Sequence, residues 1–280
     1  MTIDKPMVGT LEVPGATLRY EKRGSGPVLL LIPGGAADAG LYAGMADALA
    51  VRYTVVSYDP RGLSRSPLDG PLTDQRVEVW SDDAHRLLEL LSPSGDACVL
   101  GSSSGAIVAL DLLARHPERL RRVVAHEPPL VEVLEDPAPH RALFAEVREV
   151  FRAQGAGAAM ACLSAGLGAP PAERVTGRVA ELPPGIQEMA PRMHANLPVF
   201  LEHMLCPFTA TVPEVAALRR VVDRLVPAVG RDSYGQLPLS GPAVRLAELL
   251  GTEVVEFPGG HLGCTEHPGE FAERLLVVLG

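Results

Sequence analysis

Short, nearly continuous apolar runs recur along this chain at Val28 to Ile32, Tyr53 to Tyr58, Ala97 to Leu100, Arg122 to Ala125, Leu225 to Val229 and Glu253 to Phe257. Runs this short, with few polar interruptions, predict strands covered on both faces, as in a parallel sheet. Between them apolar residues return at helical spacing. Leu41, Met45 and Leu49 recur every four positions, and Val77, Trp80, Ala84, Leu87 and Leu91 trace one stripe. Such stripes are the faces by which helices dock on a sheet. Strand followed by helix, repeated, predicts six parallel strands joined by crossover helices. Ahead of them, Thr10 to Val13 and Ala16 to Tyr20 flank Pro14-Gly15, the punctuation of a β-hairpin. The expectation is an α/β fold whose mostly parallel eight-stranded sheet carries helices on both faces.

The rhythm stops between about Leu130 and Arg224. There, helical patches (Arg141 to Arg152, Gly185 to His194, Pro198 to Leu205) alternate with proline and glycine clusters, and no strand pattern stands out. A helical excursion of this length between two sheet strands is expected to lie over the carboxyl edge of the sheet, where such folds bind ligands. The chain therefore divides into a first core segment at 1–129, a helical cap at 130–224 and a second core segment at 225–280. No internal repeat interrupts this division.

Composition removes several classes of function. The 280 residues are 47% hydrophobic and 21% charged, the balance of a compact chain and not of a disordered one. A net charge of −9 without a long basic run argues against a nucleic-acid partner, since phosphate binding needs clustered cations. The opening MTIDKPMVGTLEVPG has neither the charged start nor the apolar stretch of a secretion signal. No apolar run approaches the roughly 18 residues of a membrane span. A cytoplasmic location with no membrane partner is expected. Cys98, Cys162, Cys206 and Cys264 have neither CxxC pairing nor ligand spacing, so they are expected to be small apolar residues in a reduced compartment. No metal or organic cofactor is implied.

The chemistry concentrates after the third predicted parallel strand. Ala97 to Leu100 runs into Gly101-Ser102-Ser103-Ser104-Gly105 and then into the helical stretch Ala106 to Arg115. This is GxSxG between a strand and a helix, a sharp turn that tolerates only small neighbours and lifts its central serine out of the sheet. Ser103 is the predicted nucleophile, at a helix N-terminus whose dipole favours developing negative charge. Of the eight histidines, His261 alone lies in a glycine-flanked loop after the last predicted strand, and it is the predicted general base. His116 and His267 stand beside prolines at helix ends and His85 within a helix, places suited to capping or exposure.

In this order the landmarks resemble the α/β-hydrolase superfamily along nearly the whole chain. The resemblance rests on Pro33-Gly34-Gly35 after the first parallel run, Asp59 to Ser66 after the second, the GxSxG turn, and Phe257-Pro258-Gly259-Gly260-His261 before a final helix. The family's usual His-Gly is replaced by Gly34-Gly35, which keeps backbone donors but removes histidine support. The resemblance implies an oxyanion hole from the backbone N–H of Ser104 and of Gly35, with Gly34 the alternative donor. It implies a bracing role for the Asp59 loop and not a catalytic one.

Two carboxylates follow strands in the right chain order to orient His261. Where the superfamily shows Gly-x-x-Asp, the loop reads Gly230-Arg231-Asp232-Ser233, which sets Asp232 one residue early. Glu127, in Ala125-His126-Glu127-Pro128, is the other. Gly101 to Gly105, His126-Glu127 and Asn196-Leu197-Pro198-Val199-Phe200 together resemble the zearalenone-lactone hydrolase group, which implies Glu127 as the acid and Asp232 as the alternative. The same resemblance implies that Phe200 touches substrate, and the apolar residues of the cap add Met204 as a second expected contact. The function so implied is cleavage of an ester or lactone of a small hydrophobic molecule through an acyl-enzyme. Thioester cleavage, carbon–carbon bond hydrolysis, cofactor-free perhydrolysis and non-catalytic ligand binding are the other uses of the fold.

Overall fold

The computed structural model describes residues 6–168 and 184–280. Residues 1–5, where the absence of a secretion signal is expected, and 169–183 within the expected cap lie outside the described residues. Eight strands form one sheet: β1 (Met7–Val13), β2 (Ala16–Arg23), β3 (Val28–Ile32), β4 (Thr54–Tyr58), β5 (Ala97–Ser102), β6 (Leu120–His126), β7 (Leu225–Gly230) and β8 (Val255–Phe257). Their order across the sheet is β1-β2-β4-β3-β5-β6-β7-β8. Strand β2 is antiparallel to β1 and β4, and every other pairing is parallel.

In chain order the helices are α1 (Ala43–Leu49), α2 (Val77–Leu91), α3 (Ser104–Arg115), α4 (Ala138–Gln154), α5 (Ala156–Gly166), α6 (Pro184–Val199), α7 (Leu205–Thr209), α8 (Val215–Arg219), α9 (Gly241–Leu250), α10 (Gly263–Glu266) and α11 (Pro268–Leu279). The two-residue period of a strand sorts its side chains between two layers. Leu29, Leu31, Leu100 and Val124 pack with α1 and α11, whereas Leu30, Ile32, Val99 and Val123 pack with α2, α3 and α9. Burial on both faces is why these strands read as unbroken apolar runs.

Among the described residues, everything between β6 and β7 is helix, turn or loop. This insertion has its own core of Val131, Phe144, Val147, Ala159, Leu163, Leu201 and Leu205. Phe208 meets Trp80 of α2 edge to face, with ring centroids 5.1 Å apart, so aromatic packing ties the insertion to the main core. Two elements differ from expectation. Helix α5 has no counterpart in the sequence pattern, because AGAAMACLSAG is small and apolar on every side and draws no stripe. The stretches Gly185 to His194 and Pro198 to Leu205 are not two patches. Helix α6 runs through Pro191 and Pro198, widens into a π-turn at Phe200–Met204 and continues as α7. No helix among the described residues is long and apolar enough to cross a membrane.

Register then assembles the site. Ile32 pairs with Gly101, Ser102 with His126, His126 with Ala228, and Gly230 with Phe257. The residues just beyond, including Gly34, Ser103, Glu127 and the loops toward Ser233 and His261, emerge together at the carboxyl edge.

Candidate active site

Ser103 occupies the turn between β5 and α3 with φ +55° and ψ −124°. A non-glycine residue at positive φ costs about 1–3 kcal/mol and persists where its surroundings enforce it. Those surroundings are glycines. A Cβ on Gly101 would stand 2.3 Å from the Gly105 carbonyl oxygen, and one on Gly105 would stand 2.2 Å from that of Ile32. The Ser103 N–H donates to the His126 carbonyl at 2.9 Å, which anchors the turn to β6. Its side chain is half-buried, and its hydroxyl makes no hydrogen bond among the described residues.

Glu127 is fully buried and also takes a positive φ, +48°. Its two oxygens are used differently. Oε2 lies 2.7 Å from Nδ1 of His261. Oε1 accepts from the Gly230 N–H at 2.8 Å and from the Ser233 hydroxyl. Burial pushes the Glu127 carboxyl up, but the His261 hydrogen bond, the charges of His261 and His126 and the Ser233 hydroxyl outweigh it and hold the group below the ordinary range. An ionised Glu127 places the His261 proton on Nδ1 and leaves Nε2 with its lone pair. His126 beside it is pushed down to about 4, chiefly by burial, and is therefore neutral near pH 7. Its Nε2 has no hydrogen-bond partner, and its ring packs edge to face on Phe257 and Phe271.

The structure joins Glu127, not Asp232, to His261. Asp232 is exposed, and the hydrogen bonds at that residue are made by its backbone. Ser233, standing where the superfamily places its aspartate, supports Glu127 instead. Sequence reasoning assigned Ser233 no role. The signal was there in the serine that fills the aspartate's position, but a hydroxyl becomes meaningful only once a carboxylate is beside it.

At the loop after β3, a Cβ on Gly34 would lie 2.3 Å from the Ser102 carbonyl oxygen and 2.7 Å from Cβ of Ser103, so only glycine fits. Gly35 has φ +59°, and its N–H donates to the Ser104 hydroxyl at 2.8 Å. The Ser104 N–H, in the first turn of α3, has no intrahelical acceptor. Asp59 braces its own loop through Arg65, at 2.7 and 2.8 Å. Phe200 is partly buried between the main core and the insertion core. Met204 differs from the expectation that it touches substrate: it has no exposed surface and belongs to the core cluster of Trp80 and Phe208. A cleft of about 530 Å³ between Leu134–His140 and Tyr234–Gly241 includes none of Ser103, Glu127 and His261.

Comparison with known proteins agrees with this architecture. A family model for the alpha/beta hydrolase fold matches residues 27–167. The chain is 37% identical over its whole length to the uncharacterized hydrolase YraK of Bacillus subtilis (strain 168), covering 97% of that protein. It is 32% identical to zearalenone hydrolase of Bionectria ochroleuca over 124 residues, 43% of this chain and 47% of that one. A hydrolase from Pseudomonas aeruginosa PA01 superposes with a TM-score of 0.72 at 23% identity, with 98% of both chains covered.

Proposed function

We propose that this chain, which belongs to the α/β-hydrolase fold family, is a serine hydrolase that cleaves an ester or lactone of a small hydrophobic molecule. One observation carries the reading: the 2.7 Å contact between Glu127 and His261, at the sheet edge where the Ser103 turn emerges. The Ser103 hydroxyl attacks the substrate carbonyl while His261 Nε2 takes its proton. Glu127 steadies the resulting imidazolium. The oxyanion is met by the N–H groups of Ser104 and Gly35, the second becoming available when the Ser104 hydroxyl turns away. Collapse expels the alcohol with a proton from His261, and a water molecule activated by the same base releases the acid. In an unbound site the serine–histidine hydrogen bond is commonly long, and it tightens as substrate enters.

An ester or lactone is favoured by the stretch shared with zearalenone hydrolase. In this reading residues 130–224 form the cap, and the partly buried Phe200 supplies apolar contact to the substrate. The test is turnover of activated esters and of a macrocyclic lactone by wild type and by Ser103→Ala. The wild type should hydrolyse at least one class, and the variant should lose roughly 10⁴-fold or more in kcat/KM with an unchanged melting temperature. Equal activity in the variant would remove Ser103 from the chemistry.

A further inference from the structure

The loop that carries Gly35 lacks the family's histidine, and the side of Gly35 where a Cβ would project is open. Beyond its two chain neighbours, no heavy atom among the described residues lies within 4 Å of that position. Hydrogen bonds from the insertion hold the neighbouring residues. Asn196, buried on α6, donates through Nδ2 to the Ala36 carbonyl and to the Ser64 hydroxyl, both at 2.8 Å, and its Oδ1 accepts from the Ser64 N–H at 2.8 Å. Ser64 is itself at φ +52°, a conformation that needs such enforcement. One turn earlier on α6, Arg192 grips both oxygens of Asp38, which is fully buried. Asp38 also accepts from the Gly40 N–H and the Ser64 hydroxyl, each at 2.8 Å. Burial pushes the Asp38 carboxyl up, but Arg192, Gly40 and Ser64 together hold it below the ordinary range, so the pair is ionic.

The chain of contacts has a direction. Gly35 donates to Ser104 on one side, and on the other the carbonyl of the next residue, Ala36, is fixed by the insertion. We propose that Asn196 and Arg192 are positioning residues through which α6 of the insertion sets the Gly35 N–H for the oxyanion, so that docking of α6 and turnover at Ser103 are coupled. Neither residue touches the reacting atoms. The proposal rests on the serine-hydrolase reading above.

The test measures kcat and KM on p-nitrophenyl acetate, whose small acyl group reaches little of the insertion, and the affinity of a trifluoromethyl ketone, whose oxyanion imitates the intermediate. Asn196→Ala should lower kcat roughly 10- to 100-fold, the scale of an ångström-sized misplacement. It should weaken the ketone by a like factor while KM changes little. Val147→Ala, a truncation on α4 within the insertion core that makes none of the hydrogen bonds of Asn196 or Arg192, should lower the melting temperature and leave kcat intact. If Asn196→Ala does not fold, Arg192→Met should show the same loss of kcat, and Arg192→Lys should restore most of it. Unchanged kcat in Asn196→Ala, equal kcat in Arg192→Met and Arg192→Lys, or an equal loss in Val147→Ala would overturn the proposal. Fluorophosphonate labelling of the wild type separates the two levels. A wild type that neither labels nor turns over ends the hydrolase reading and this positioning role with it, whereas an active wild type with indifferent variants ends the positioning role alone.

Discussion

Glu127 does what a lone surface carboxylate cannot, because its unused oxygen is saturated by Gly230 and Ser233 and it can turn only one oxygen to His261. Glu127→Gln should therefore cost up to roughly 10⁴-fold in kcat/KM, since the wrong imidazole tautomer is favoured and its cation is unsupported. Asp232→Asn should change kcat/KM by less than about threefold, because its side chain faces solvent. Rates of both variants on one activated ester, with melting curves as the control for folding, decide between them. His126 gives a second expectation. It stays neutral down to about 4 instead of 6.5, so between those values the unfolded chain binds a proton that the native chain refuses. Stability must then rise with pH across that window and fall on acidification, by about 2 kcal/mol between pH 7 and pH 5 from this group. Glu127 acts in the same sense at lower pH, since its lowered value contributes stability that is lost as pH falls through it. Urea unfolding at the two pH values should show the loss, and His126→Leu should lack about that much of it. An equal pH dependence in the variant would contradict the assignment.

At the scale of elements, the turn from β5 to α3 is set by backbone contact and not by side chains. Gly105→Ala would drive a methyl group into the Ile32 carbonyl, which is part of the central β3 and cannot move aside. The expected outcome is loss of soluble protein or destabilisation by about 3 kcal/mol or more, read by chemical unfolding. This turn was legible in the sequence because glycine at fixed spacing is a local requirement. The insertion was legible only as helical. Helix α5 leaves no stripe, and the break expected between His194 and Pro198 is one that the continuous α6 with its π-turn does not make. Both misreadings have the same cause: neighbours distant in sequence supply the packing that local pattern lacks.

For the whole molecule, parallel strands buried on both faces announced themselves as apolar runs, and their register alone carries Ser103, Glu127 and the loop before His261 to one edge. That much followed from short-range pattern. The Ser233 support for Glu127 and the grip of α6 on the Gly35 loop did not, because they join residues 106 and 160 positions apart in the chain. Chelation gives a further whole-molecule expectation: among the described residues no group of three His, Cys, Asp or Glu side chains gathers as ligands would, and activity should survive EDTA, as an assay before and after dialysis would read. The account turns on an activated Ser103, and site-resolved labelling tests that most directly. Treatment with a fluorophosphonate followed by peptide mass spectrometry should place one adduct on Ser103 in the wild type, form it far more slowly in Glu127→Gln, and form it at the wild-type rate in Asp232→Asn. No adduct, or an adduct on another residue with Ser103 unmodified, would contradict the account.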